Sequence, residues 1–185
     1  MGISNRHVHL SSEHLQTLFG AGYQLTPLKD LSQPGQYAAK ETIMLAGPKG
    51  SIDQVRILGP CRSVTQVEIL ASDCYKLGVK AKLGVSGQLQ SSAGNLTLVG
   101  PKGSVHLCQG VIIAQRHIHM SLADAERLGV SDGQSVSITI PGERGGVFHN
   151  TLIRADNNSA LELHLDTEEA NALGVTAQTL IRLTA

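Results

Sequence analysis

Two copies of one short phrase carry the histidines that could do chemistry. The first reads N-R-H-V-H-L-S around His7 and His9, and the second reads Q-R-H-I-H-M-S around His117 and His119. In a β-strand, residues two apart point to the same face. The histidines of each phrase therefore project together, and the apolar residues between and after them face the other way. Two imidazoles converging from one strand are a common way of holding a transition metal.

A plainer interpretation is that each phrase is a strand with histidines on its polar face. A single H-x-H would leave the two interpretations about even, because short motifs have many chance matches. Here the phrase recurs with the same arginine before it and the same serine after it. The repetition favours metal binding at both places.

A third ligand for one metal is available in G-P-C-R-S-V-T-Q-V-E-I. Gln66 and Glu68 share a polar strand face, and a glutamate beside imidazoles is a suitable metal ligand. Arg62 lies in the preceding turn, where its guanidinium could bind an anion through two hydrogen bonds. The same residues also fit an exposed strand edge with a solvated arginine, and this stretch alone does not separate the two.

The stretch A-L-E-L-H-L-D offers a third imidazole for the other metal. Glu162 and His164 face one way there, and the intervening leucines face the other. A surface histidine is an equally good interpretation of His164 from these residues. A further arginine, Arg154, follows His149 in F-H-N-T-L-I-R. The chain has no G-x-S-x-G, P-loop or G-x-G-x-x-G motif, so nothing indicates a serine hydrolase or a nucleotide-fold oxidoreductase.

Composition narrows the class of partner. The 185 residues are 41% apolar and 16% charged, with 15 basic and 15 acidic residues. No basic field indicates nucleic acid or a membrane surface, and aromatic residues, at 3%, are too few for base-stacking platforms. A small-molecule partner is expected. Three cysteines without C-x-x-C spacing are typical of reduced cytosolic thiols.

Short elements with frequent glycine turns must position these residues. Helices are predicted over 11–20, 72–78, 121–129 and 166–174, each opened by a capping residue and closed by glycine. Hairpins are predicted at the two G-P-K-G turns, 47–50 and 100–103. Many short strands and few helices predict a mainly β fold of two small β-barrels. We expect residues 1–20 and 112–185 to form one barrel and residues 21–111 the other.

Five stretches together resemble the PduL-type phosphotransacylases, the phosphate propanoyltransferases linked to bacterial microcompartments. They are the two R-H-x-H-[LM]-S phrases, D-L-S-Q-P-G-Q-Y-A-A-K-E-T, G-P-C-R-S-V-T-Q-V-E-I and H-L-D-T-E-E-A-N-A. The resemblance covers nearly the whole chain. It implies two barrels, two zinc ions, and the reversible reaction of acyl-CoA with phosphate to give acyl phosphate and coenzyme A. Propanoyl-CoA, as in propanediol degradation, or another short acyl-CoA is the implied substrate.

The resemblance also implies roles for individual residues. One zinc would be bound by His7, His9 and Glu68, and the other by His117, His119 and His164. Phosphate contacts would fall on Arg62, Gln66, Gln33, Ser86 and Arg154, with Arg62 also catalytic. Microcompartment members usually carry an amphipathic N-terminal targeting helix, which this sequence lacks. We therefore expect a cytoplasmic protein, or a microcompartment-lumen protein whose targeting segment was removed. Microcompartment shell or lumen proteins and further copies of the chain are possible partners.

Two other functions stay open at this point. A dinuclear metal hydrolase would use the same ligands to activate water, although such sites are usually richer in aspartates. A zinc-stapled barrel acting as a binding or shell module would not be an enzyme. Structural zinc sites, however, are closed, have four ligands and are rich in cysteine, whereas three-ligand His/Glu sets leave an open position.

Overall fold

The computed structural model describes residues 1–184, and Ala185, the last residue of the predicted C-terminal segment, lies outside them. The described chain forms fifteen strands and four short helices. In chain order they are β1 (Gly2–Ser4), β2 (His7–His9), α1 (Ser12–Phe19), β3 (Pro27–Asp30), β4 (Tyr37–Ala46), β5 (Ser51–Gly59), β6 (Gln66–Glu68), α2 (Ala71–Leu77), β7 (Leu83–Gly84), β8 (Leu96–Val99), β9 (Ser104–Leu107), β10 (Val111–Ala114), β11 (His117–Met120), α3 (Leu122–Leu128), β12 (Ser135–Ile140), β13 (Gly146–Ala155), β14 (Glu162–Asp166), α4 (Thr167–Ala172) and β15 (Arg182–Thr184). The predicted class is confirmed: the fold is mainly β, with barrel-like curling of the sheet and few short helices.

Two compact units divide the described chain. A central unit contains Arg6–Leu31 and Gly35–Ala114. A C-terminal unit contains Met1–Asn5, Ser32–Pro34 and the chain from Gln115 onward. Each unit has its own buried apolar cluster, so each has a core of its own.

The central unit is built on a nine-stranded sheet in the order β7-β10-β6-β2-β5-β4-β8-β9, with β3 paired to β4. The first H-x-H strand, β2, runs parallel to β5 on one side and antiparallel to β6 on the other. Val8 and Val67 lie opposite each other in β2 and β6 and are fully buried in the core. This apolar face leaves the other face of the same strand pair for the polar residues.

The C-terminal unit is built on a six-stranded sheet in the order β1-β14-β11-β13-β12-β15. The second H-x-H strand, β11, is antiparallel to β14 and parallel to β13. Ile118 and Leu163 lie opposite each other and belong to the core of this unit. The second phrase therefore has the same environment as the first: a central strand with one apolar face buried and the histidines on the other.

Both G-P-K-G stretches form the predicted hairpins. Gly47 N–H donates to the carbonyl of Gly50, and Gly100 N–H donates to the carbonyl of Gly103, each at 2.9 Å. The turns join β4 to β5 and β8 to β9. A Cβ at Gly47 would lie 2.2 Å from the carbonyl oxygen of Leu77, at the end of α2, so glycine is needed there for close approach.

Three of the four helices begin at the predicted capping residues, whereas α2 begins at Ala71 after Leu70, so the predicted cap at Ser72 is wrong. The Ser11 hydroxyl accepts a hydrogen bond from His14 N–H at the start of α1, and the Ser121 hydroxyl accepts one from Asp124 N–H at the start of α3. Asp166 and Glu169 form a capping box at α4. Since each serine stands two residues after the second histidine of its phrase, the caps fix where both histidine strands end.

The sequence-based boundaries, residues 1–20 with 112–185 and 21–111 apart, differ from the two units at both changeovers. The structure assigns Met1–Asn5 alone to the C-terminal unit, because β1 pairs with β14. Strand β2 pairs instead with β5 and β6, and Val8 is buried in the central core. Strand β10 pairs with β6 and β7, so it also belongs to the central unit. Backbone pairing, which the repeated phrase alone does not reveal, sets these boundaries.

Candidate functional site

The central unit places four polar residues in one block on neighbouring strands. In the antiparallel register of β2 and β6, His7 lies opposite Glu68, and His9 lies opposite Gln66. Directly opposed residues of an antiparallel pair project to the same face. All four are buried. The block is therefore a polar cluster beneath the surface, not an exposed strand edge.

Three members of this block have metal-ligand chemistry. The ligand atoms of His7, His9 and Glu68 lie within 4.8 Å of one another. His7 Nε2 is 3.4 Å from a carboxylate oxygen of Glu68. His9 Nδ1 is buried and makes no hydrogen bond within the described chain. A buried ring nitrogen without a partner costs free energy, so it indicates a site that a ligand completes.

The electrostatics of this cluster favour a neutral imidazole beside an ionised carboxylate. Burial, followed by the neighbouring His7 charge, lowers the pKa of His9 to about 3. Burial opposes ionisation of Glu68, but His7 and His9 outweigh it and hold the pKa of that carboxyl well below its usual range. Neutral imidazole and carboxylate are the forms that bind a metal. The donor set therefore fits zinc or a similar divalent ion.

The C-terminal unit repeats the block with two of its four residue types changed. In the antiparallel register of β11 and β14, His117 lies opposite His164, and His119 lies opposite Glu162. The ligand atoms of the three histidines lie within 4.8 Å of one another. Their ring centroids are 4.8 to 5.0 Å apart. His164 is thus not an isolated surface histidine.

Hydrogen bonds aim two of these imidazoles at a common point. His117 Nδ1 lies 2.8 Å from the carbonyl oxygen of Gln115, to which it donates. Its Nε2 then carries the lone pair and lies 3.2 Å from Nε2 of His119. Burial, and next the charge of His117, lower the pKa of His119 to about 3. The Ser159 hydroxyl donates to Asp156 and lies 3.3 Å from Nδ1 of His119, so that Nδ1 donates to it and Nε2 of His119 is unprotonated as well. Two unprotonated nitrogens that face each other fit a shared metal ion, so this cluster also fits zinc.

Sequence reasoning missed two matching ion pairs, one beside each histidine block. Arg6 Nε donates to Asp73 at 2.7 Å, and Arg116 Nε donates to Glu169 at 2.7 Å. In each case the acid is the third residue of a helix, α2 or α4, and also binds the backbone N–H at that helix start. The signal was present, because each acid stands five positions after the third residue of its cluster. Both arginines tie the H-x-H strand to that helix.

Three of the residues assigned to phosphate lie together in the central unit. Arg62 Nη1 donates to the Ser86 hydroxyl at 3.2 Å, and Gln66 Nε2 donates to it at 2.8 Å. The same Gln66 nitrogen donates to Glu68 at 2.6 Å, and Gly87 N–H donates to the side-chain oxygen Oε1 of Gln66 at 2.8 Å. The charge of Arg62 also contributes to lowering the pKa values of His9 and Glu68. Two polar side chains thus connect the Arg62 guanidinium to the candidate metal ligands of the central unit.

The other two assigned residues lie in the C-terminal unit. The Gln33 side-chain amide donates to the carbonyl of Ala160 at 3.1 Å and accepts from its N–H at 3.2 Å. Gln33 Nε2 also lies 3.4 Å from Glu162. Arg154 stands opposite His119 in the parallel register of β11 and β13. Each unit therefore combines its own cluster with some of the residues assigned to phosphate.

Comparison with known proteins gives a single answer. The family model for phosphate propanoyltransferase matches residues 1–176. A phosphate propanoyltransferase of Rhodobacter capsulatus is 54% identical over 183 residues, which cover 99% of this chain and 85% of that protein. The enzyme of the same name from Thermotoga maritima is 51% identical over 173 residues, covering 93% and 82%. That from Salmonella typhimurium is 50% identical over 175 residues, covering 94% and 82%.

Within residues 1–184, none of the helices has both the length and the apolar character to cross a membrane. The matches span nearly all of the chain and include both histidine blocks. The chain therefore belongs to the phosphate propanoyltransferase family, a family of acyltransferase enzymes.

Proposed function

We propose that the protein converts propanoyl-CoA, or a similar short acyl-CoA, and phosphate reversibly to acyl phosphate and coenzyme A at a dinuclear zinc site. The relatives supply the reaction class through their names. The observation that carries the proposal is the hydrogen-bonded series from Arg62 through Ser86 and Gln66 to Glu68. It joins an anion-binding group to a set of metal ligands, as a phosphate-using metal site requires.

Each histidine block would hold one zinc ion. The ligands of one would be His7, His9 and Glu68, and those of the other His117, His119 and His164. Bound zinc supplies Lewis-acid charge that attracts phosphate oxygens and offsets negative charge in the transition state. Three-ligand sets of this kind leave an open coordination position, which favours catalysis over a purely structural role.

Arg62 would orient phosphate for its attack on the thioester carbonyl carbon. Its guanidinium presents donors in a rigid fork that matches two phosphate oxygens. Ser86 accepts from this side chain and orients it. Ser86, Gln66, Gln33 and Arg154 would supply the remaining phosphate contacts. Since Gln66 Nε2 already donates to Glu68 and Ser86, a bond from it to phosphate would replace one of these.

The reaction needs little general acid–base catalysis from the protein. A phosphate oxygen attacks the thioester carbonyl carbon, a C–O bond forms, and the C–S bond breaks with its electron pair leaving on sulfur. The thiolate of coenzyme A is a stable leaving group, so no dedicated general acid is needed. Holding two anionic substrates in a reactive arrangement is the main contribution, and the charge of Arg62 near the developing oxyanion adds to it.

The test is an assay of free coenzyme A released from propanoyl-CoA by zinc-loaded protein. We expect release only when phosphate is supplied, together with one propanoyl phosphate for each coenzyme A. Release without phosphate would identify a hydrolase instead. Absence of release under both conditions, with zinc bound, would identify a zinc-stapled binding module.

The place of the reaction in the cell is a further part of the proposal. We propose a cytoplasmic or microcompartment-lumen location, with acyl-CoA and phosphate as the small-molecule partners and with no nucleic-acid or membrane partner. Association with microcompartment shell or lumen proteins and with further copies of the chain follows from the resemblance stated above. The names of the relatives support the substrates of this proposal.

A further inference from the structure

Glu162 occupies the fourth corner of the C-terminal block, opposite His119 and two residues before His164 on the same strand face. Its carboxylate lies 2.8 Å from Nε2 of His164. An ionised carboxylate only accepts hydrogen bonds. The proton in this bond therefore belongs to the Nε2 atom of His164.

The central block has a glutamine at the corresponding corner. Gln66 is two residues before Glu68, lies opposite His9, and donates to Glu68 at 2.6 Å. The chemistry of the two corners is opposite, as the neighbouring residues require. A carboxylate ligand needs a donor beside it, whereas an imidazole with a ring N–H needs an acceptor. Gln66 is thus a donor matched to the carboxylate of Glu68, and Glu162 is an acceptor matched to the ring N–H of His164.

The backbone of β1 closes the same edge of the His164 ring. Gly2 is paired with His164 in the parallel register of β1 and β14. A Cβ at Gly2 would lie 3.1 Å from both Cδ2 and Nε2 of His164 and 3.4 Å from Cδ of Glu162. This edge of the ring is therefore covered by backbone and carboxylate. Nδ1 is the nitrogen left for a ligand shared with His117 and His119.

Glu162 is itself held by a three-residue segment inserted from earlier in the chain. Ser32 donates its hydroxyl hydrogen to Glu162, and Gln33 Nε2 lies 3.4 Å from the same carboxylate. Gln33 is fixed in turn by its two hydrogen bonds with the backbone of Ala160. With these contacts the Glu162 side chain is only 9% exposed. Such a carboxylate is oriented by its surroundings and can orient a neighbour.

We propose that Glu162 is a positioning residue, which fixes the proton of His164 on Nε2 so that Nδ1 is presented to the metal of the C-terminal cluster. The inference rests on the proposed function, because that function supplies the zinc. Carboxylates that accept from the second nitrogen of a metal-binding histidine orient the ring and raise its basicity. The serine and glutamine that hold Glu162 extend this support outward by one step.

The direct test reads the tautomer of His164 in metal-free protein by nitrogen NMR, in wild type, Glu162→Ala and Glu162→Gln. We expect a single Nε2–H form in wild type. Glu162→Ala should give a mixture of both neutral forms, because no acceptor remains. Glu162→Gln keeps the shape and an accepting oxygen, so it should restore the Nε2–H form. Glu143→Gln, at an exposed acid of the same unit, removes the same charge and should leave the His164 signal unchanged.

The second readout is zinc affinity, measured by competition with a chelator of known affinity. Loss of such a supporting carboxylate weakens metal binding about 10- to 100-fold, so Glu162→Ala should lose this much at one site, and Glu162→Gln much less. Wild-type zinc affinity and an unchanged His164 tautomer in folded Glu162→Ala would overturn the inference and leave the proposed function intact. Wild-type protein that binds no zinc would overturn the metal part of the proposed function, while the tautomer measurement still judges Glu162.

Discussion

Replacing Arg62 with alanine is expected to lower turnover about 100- to 1000-fold, the usual cost of a lost transition-state contact. The reason is local. Arg62 Nη1 binds Ser86, which also binds Gln66, and Gln66 binds the cluster residue Glu68. The guanidinium is therefore linked to the cluster of His7, His9 and Glu68, but Arg62 is not itself one of the candidate metal ligands. Zinc content should accordingly stay at the wild-type level.

Arg62→Lys separates charge from geometry. Lysine keeps the positive charge but loses the planar fork, so a residue that orients phosphate should lose much of its turnover in this variant as well. The measurement is steady-state kinetics with phosphate varied, on protein whose zinc has been counted. Arg127→Ala is the matched control, because that arginine is largely exposed on α3 and pairs with Asp124 at the surface. Near-normal turnover of Arg62→Ala with full zinc would contradict the role and point to Arg154.

Replacing His164 with alanine is expected to lower zinc content from about two ions per chain to about one, since each three-ligand set binds one ion. Activity should fall with it by about 100-fold or more, because a catalytic metal contributes several kcal/mol to transition-state stabilisation. The physical reason is the position of His164 opposite His117, with the ring centroids 4.9 Å apart. Two imidazoles on β11 alone make a much weaker site.

The readouts for His164→Ala are elemental analysis and the phosphate-dependent assay on the same preparation. His149→Ala is the matched control in the same unit, because His149 is exposed and its ring binds only the Ser137 hydroxyl among the hydrogen bonds described. Two zinc ions per chain with wild-type turnover in His164→Ala would remove this residue from the site. Two zinc ions with lost turnover would instead make His164 a residue that contacts substrate.

The sequence predicts those parts of the fold that depend on local periodicity. Residues two apart share a strand face, so the pairing of His7 with His9 and of Gln66 with Glu68 follows from spacing. The helix caps at Ser11 and Ser121 follow from residue type and position in the same way. These local rules explain why the mainly β class, the hairpins and the helices agree with the structure.

Strand register and sheet membership depend on contacts distant in sequence. Strands β1 and β2 are separated by two residues, yet β1 pairs with β14 and β2 with β5 and β6. No periodicity within the N-terminal segment indicates that change of sheet. The attachment of Gln33 to Ala160 and Glu162 spans more than a hundred residues and is equally invisible to local patterns. The pairing of Arg6 with Asp73 could have been inferred only by aligning the two repeats across both strands and the helix.

The most direct test of the account is a zinc titration of metal-free protein, with phosphate-dependent release of coenzyme A followed at each addition. The two clusters predict that activity rises with added zinc and reaches its plateau at about two ions per chain, the number that two three-ligand sets bind. Elemental analysis of the plateau sample should give the same number. Full phosphate-dependent activity without zinc, or a final content well below one ion per chain, would contradict the account.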